Sequence, residues 1–80
     1  MLMRELLQLR TDIRKTLPLA KAELGMSQND FARYARVEPS IFSRWLSGKI
    51  TSEPAAQKAR RALARLQRRL GVVARAQEAS

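Results

Sequence analysis

The side chains available for chemistry are sixteen Lys and Arg, seven Asp and Glu, and a scatter of Ser, Thr, Asn and Gln, with no His and no Cys. Without His the commonest general base and zinc ligand is missing, and without Cys there is neither a disulfide framework nor a thiolate metal site. The carboxylates Glu5, Asp12, Glu23, Asp30, Glu38, Glu53 and Glu78 never fall at the i, i+4 spacing that pairs two of them on one helix face. The chain therefore reads as a non-enzyme with no metal and no cofactor. The remaining chemistry is hydrogen bonding and charge: a net +9 and a pI near 11.5 point to a polyanion or an anionic surface as partner.

The elements that would position these cations are helical. Val, Ile and Thr number nine against twelve Ala and eleven Leu, and no stretch alternates apolar and polar residues for long. Eighty residues, 45% of them hydrophobic, suffice for one core, so a single all-α domain over 1–80 is expected. Leu2, Leu6, Leu9, Ile13 and Leu17 form one apolar stripe, predicting a helix over 2–17 that Pro18 ends or kinks. A short helical piece then runs from Leu19 to Leu24 into Gly25, suited to the left-handed position after a helix.

Ser27 opens a capping box with Asp30 and starts a helix reaching Arg36; after a turn, a second runs from Pro39 to about Ser47 and stops at Gly48. Ser52 and Pro54 start a last helix over 54–70, cut by Gly71, with Ala76 to Ser80 as a frayed end. Residues 51–80 hold seven bases and two acids, so this long basic C-terminal helix carries over half the net charge. Its Ala56, Ala59, Leu63, Leu66, Leu70 and Val73 follow a heptad-like seam.

Two short helices joined by a tight turn, the first buried through small residues and the second displaying polar and basic ones, is the plan of a DNA-reading helix-turn-helix. The motif covers about 27–48. Ser27-Gln28, Phe31-Ala32, Val37, Phe42-Ser43-Arg44-Trp45 and Gly48-Lys49 follow, without a gap across Met26 to Lys49, the pattern of the Cro and lambda-repressor-like (XRE) family, which this segment resembles. Phe31, Ala32, Ala35, Val37, Phe42 and Trp45 form the motif's core, with Ala32 small because the two helices cross closely there.

What the resemblance implies is a helix over 39–47 lying in the major groove of double-stranded DNA. Ser40 and Arg44 would reach base edges, Ile41 would rest on a thymine methyl, and Pro39 would stand where many relatives carry a polar base reader. Ser27, Gln28, Ser43, Ser47 and Lys49 would hold phosphates. Three residues depart from the family pattern. Arg36 occupies the turn position usually held by Gly and has to accept positive φ or reshape the turn. Glu38 replaces the usual small capping hydroxyl and either pairs with a base such as Arg36 or contacts a cytosine amine. Pro39 removes one polar reader and shifts weight to Arg44. Arg44 has its own plainer reading, a surface Arg paired with Glu38 or Asp30.

The function that follows is a sequence-specific transcriptional regulator of phage, plasmid or bacterial type. A repressor is the default, bound as a homodimer to a two-fold symmetric operator with half-sites about 34 Å apart. RNA polymerase or another protein is a further partner the reading allows. Leu2, Leu6, Leu9 and Ile13, or Leu63, Leu66 and Leu70, are the dimerisation candidates; packing on their own domain is the plainer reading of both stripes. The alternatives are a protein-interaction module of antitoxin or adaptor type and a nonspecific nucleic-acid-coating protein. No apolar run nears the roughly 20 residues of a spanning helix and the start lacks a secretory pattern, so no membrane association and a cytoplasmic location are expected.

Overall fold

The computed structural model describes the backbone of residues 2–79 and the side chains of residues 2–71. Four helices follow one another, and no strand occurs among the described residues: α1 (Met3–Leu24), α2 (Gln28–Tyr34), α3 (Pro39–Leu46) and α4 (Glu53–Ala79). α1 packs along α4, and α2 bridges α3 and α4. At about 1.5 Å per residue the 27 residues of α4 span about 40 Å, close to the 43 Å long axis of the molecule.

α1 is one helix, not a helix over 2–17 followed by a separate piece over 19–24. Pro18 lies inside it, where its missing N–H and ring cost roughly 3 kcal/mol. Pro18 and Arg14, the residue whose carbonyl loses its partner, both face solvent, so the unpaired group stays outside the core. Ala20 is fully buried two residues on, and Leu17 and Leu24, partly buried, pack against the core on either side; at about 0.8 kcal/mol per buried methylene these contacts offset the cost and carry the helix through. It ends at Gly25, in the left-handed region at φ 67°.

The last helix is also longer than its predicted 54–70. Ser52 Oγ accepts from the backbone N–H of Ala55 at 3.3 Å, and the helix passes through Gly71 to Ala79. One interior Gly costs only about 1 kcal/mol against Ala. The backbone is helical where Ala76 to Ala79 were expected to fray; the seam position Val73 and the side chains of that expected end lie outside the described side chains, and Ser80 lies outside the described residues.

The apolar stripes meet in one cluster. Leu6, Leu9 and Ile13 from α1 and Leu63, Leu66 and Leu70 from α4 are all buried within this chain, together with Ala55, Ala56, Ala59 and Ala62. These six leucine and isoleucine residues are therefore not surface faces for a second copy, because each stripe already covers the other. Of the dimerisation candidates only Leu2 is exposed; Met3 and Leu7 are exposed beside it on the first turns of α1. No described helix is long and apolar enough to cross a membrane.

Candidate nucleic-acid interface

α2 begins with a reciprocal cap. Ser27 Oγ accepts from the Asp30 N–H at 3.1 Å, and the Asp30 carboxylate accepts from the Ser27 N–H at 3.0 Å. That backbone hydrogen bond, then the one with the Ser27 side chain, lowers the Asp30 pKa below its ordinary value; Arg33 and Lys21 add a smaller pull in the same direction.

α2 ends at Tyr34 rather than reaching Arg36, with Ala35 as its cap, and two hydrogen bonds set the turn to α3. The Arg36 N–H donates to the Arg33 carbonyl and the Val37 N–H to the Ala32 carbonyl, both at 2.9 Å, around a left-handed Arg36 at φ 61°. This is a Schellman closure, in which the residue after the cap takes positive φ and an apolar residue beyond it folds back onto the helix. Val37 is that residue and is buried with Phe31 and Ala32. The same closure ends α3: the Gly48 N–H bonds to the Trp45 carbonyl, the Lys49 N–H to the Arg44 carbonyl, and Gly48 has φ 84°. Of the two alternatives for position 36, the chain takes positive φ.

The angle between α2 and α3 is fixed by aromatic contacts. Phe31 and Phe42 have ring centroids 5.5 Å apart, and Phe42 and Trp45 5.8 Å, within the range of favourable tilted pairs. Phe31, Ala32, Phe42 and Trp45 are fully buried, with Ala35 and Val37 nearly so. Trp45 Nε1 is buried without an acceptor among the described residues, so the indole is held by packing rather than by its polar edge.

Two arginines of α1 hold the far end of α3. Arg10, only 7% exposed, donates from Nε to the Trp45 carbonyl at 2.8 Å and from Nη2 to the Ile50 carbonyl at 3.1 Å. Arg14 Nη2 donates to the Leu46 carbonyl. Cations at a helix C-terminus meet the negative end of its dipole and satisfy carbonyls that lack partners within the helix.

With Phe42, Trp45 and Leu46 turned inward, α3 presents Ser40, Ser43, Arg44 and Ser47 outward on one face, with Ile41, 39% exposed, on its flank and Pro39 half-buried at its start. The Arg44 side chain makes no hydrogen bond or ion pair among the described residues, so its guanidinium is not tied to Glu38 or Asp30; Asp30 pairs instead with Arg33 at 3.5 Å. Glu38 accepts a hydrogen bond from Ser40 Oγ, rather than pairing with Arg36. This commits the Ser40 proton and leaves its lone pairs outward. Ser47 Oγ donates to the Arg44 carbonyl at 3.1 Å.

Ser27 and Gln28 line a groove with Leu46, the last residue of α3, so the start of α2 and the end of α3 form one corner. Ser47 and Lys49 follow on in sequence and are exposed. Arg14 and Lys21 of α1 line the same groove. Sequence reasoning missed these two cations because it read α1 only for its apolar stripe; their seven-residue spacing, two helical turns, is the signal that sets them on one side.

No protein-family model, curated protein or solved structure matches this chain.

Proposed function

We propose that this chain is a sequence-specific double-stranded DNA-binding protein, with α2, the turn and α3 acting as a helix-turn-helix of Cro and lambda-repressor-like type. The observation that carries the reading is the outward face of α3, where an Arg44 guanidinium with no partner among the described residues stands between serines on a helix pinned from behind. A free guanidinium on such a helix can bond the O6 and N7 of one guanine, worth about 1–3 kcal/mol of discrimination. Ser40 and Ile41 add contacts beside it. Gln28, Ser43 and Lys49, joined by Arg14 and Lys21, supply phosphate donors, whereas the Ser47 hydroxyl already donates to the Arg44 carbonyl. The Ser27 hydroxyl is engaged in the cap: it accepts from the Asp30 N–H, and its own hydrogen bond to the Asp30 carboxylate helps lower that group's pKa.

The biological role proposed is transcriptional regulation, by default repression through occupancy of a promoter, without catalysis. A homodimer on a two-fold symmetric operator remains part of the proposal, using the exposed Leu2, Met3 and Leu7 rather than the buried stripes. The test is selection of bound duplexes from a random pool at about physiological salt, where purely electrostatic binding is suppressed. A consensus with symmetric half-sites about one turn apart is the expected result. Recovery of unselected sequence would overturn it.

A further inference from the structure

On the side of α4 away from α1, a groove of about 620 Å³ is lined by Arg36, Lys58, Arg61, Arg65 and Arg68 with two alanines and no carboxylate. Four of the cations step by three, four and three along α4 and so form one stripe about 15 Å long; the fifth comes from the turn between α2 and α3. A neighbouring groove, which shares Ala64 with this one, has a different character, with Glu5 and Asp12 beside Arg4 and Arg60. Acids thus accompany the cations in that groove and are missing from the described lining of this one, although like charges three and four residues apart destabilise a helix. Arg36 sharpens the contrast, since it takes a left-handed conformation that glycine would adopt more cheaply and adds its charge to the same groove.

We propose that this groove is a second seat for the phosphate backbone of duplex DNA, indifferent to sequence and separate from the outward face of α3. The inference deepens the DNA-binding reading and rests on it. At about 15 Å the stripe is long enough to meet more than one phosphate of a strand. Only alanines supply apolar lining, so the groove lacks the anchors on which protein partners gain affinity. Tyr34, the nearest aromatic, is covered by Arg65, whose guanidinium lies 5.0 Å from the ring centroid, and offers no platform for the unstacked bases of a single strand. Arg65 also donates to the Tyr34 carbonyl at 3.4 Å, which fixes one guanidinium of the track and leaves its other donors for phosphate.

The experiment measures binding of a scrambled duplex about two helical turns long across a salt series, for the wild-type chain, for Arg61→Gln combined with Arg68→Gln, and for Arg36→Gly. The double substitution should weaken binding to every sequence and lower the log–log salt slope by about two, one for each phosphate no longer neutralised. Arg36→Gly should bind more weakly while melting at a higher temperature, a combination that partial unfolding does not produce. Wild-type affinity and slope in the double variant would overturn the proposal, as would a wild-type chain that ignores the scrambled duplex. Displacement by polyglutamate as readily as by competing duplex would assign the track to an acidic protein and also overturn it. The ratio of affinities for consensus and scrambled duplexes reports on α3 alone. Loss of that ratio with the track's salt dependence intact would remove the proposed specific function and leave this inference standing.

Discussion

Arg10 Nε donates to the carbonyl of Trp45 at 2.8 Å while its guanidinium lies 5.2 Å from the centroid of the same residue's ring. One side chain of α1 thereby holds both the backbone end and the buried face of α3, and a second hydrogen bond to the Ile50 carbonyl extends the hold to the segment leading into α4. The orientation of the outward Arg44 depends on this clamp from behind.

Arg10→Met should therefore cost about 2–3 kcal/mol, because it keeps the bulk of the side chain and leaves two carbonyls without their charged donor. Arg10→Lys should recover only part of the loss, since a single ammonium lacks the planar fork that meets two carbonyls at once and stacks on the indole. Denaturant unfolding of the three proteins measures both differences. Equal stability of Arg10→Met and wild type would show that the clamp is energetically idle.

The two Schellman closures give a paired prediction. Arg36→Gly should stabilise the fold by about 1 kcal/mol, because glycine takes positive φ without a Cβ clash. Gly48→Ala should destabilise by a similar amount through the same backbone strain; an added Cβ meets no atom within 4 Å, so crowding contributes nothing. Melting temperatures that move in opposite directions would bear this out, and parallel shifts would refute it.

These outcomes also show what was legible in the residues alone. The capping box at Ser27 and Asp30 and the inward set from Phe31 to Trp45 follow from local rules, since a cap and a helical period each reach only a few residues, whereas in sequence position 36 is open between positive φ and a reshaped turn. The leucine stripes were readable as buried faces but not as to what buries them. Leu6 and Leu66 have the same periodicity whether they cover each other within one chain or across a dimer. Passage through Pro18 depended on Ala20 and Leu24 finding a core, which no neighbouring residue announces. Arg10 did leave a signal: it lies four residues after Leu6 and three before Ile13, inside the apolar stripe, where a cation must find acceptors. Arg36 likewise could be seen as a turn residue, whereas its meeting with Lys58 and Arg61 is a product of the tertiary fold.

The Asp30 carboxylate carries a pH dependence of definite sign. Its folded pKa lies below the ordinary 3.8, chiefly through the hydrogen bond from the Ser27 N–H. Its contribution to stability is fully present above the unfolded value and is lost as pH falls through the lower folded value, so α2 should loosen on the acid side of 3.8 and be insensitive to Asp30 near neutrality. Ser27→Ala should raise the Asp30 titration midpoint toward its ordinary value by removing the hydrogen bond that the hydroxyl donates to the carboxylate. Carboxyl carbon shifts followed by NMR through an acid titration measure both midpoints, and coincident midpoints would show that the Ser27 hydroxyl does not contribute.

The outward face of α3 yields the sharpest separation of roles. If Arg44 reads a base, Arg44→Ala should flatten preference at one base pair per half-site, a loss of about 1–3 kcal/mol in discrimination, and leave the salt slope of nonspecific binding unchanged. Lys49, exposed just beyond Gly48, should behave in the opposite way: Lys49→Ala should weaken binding to all sequences alike and reduce the slope by about one. Affinities for the consensus and its single-base variants, each measured at several salt concentrations, assign the two side chains independently. Uniform weakening by Arg44→Ala would move Arg44 to the phosphate backbone. Ser40 would then be left to read the sequence, yet its proton is already given to Glu38, so Glu38→Gln, which exchanges a charged acceptor for a neutral one, should in that case alter base preference at the start of α3.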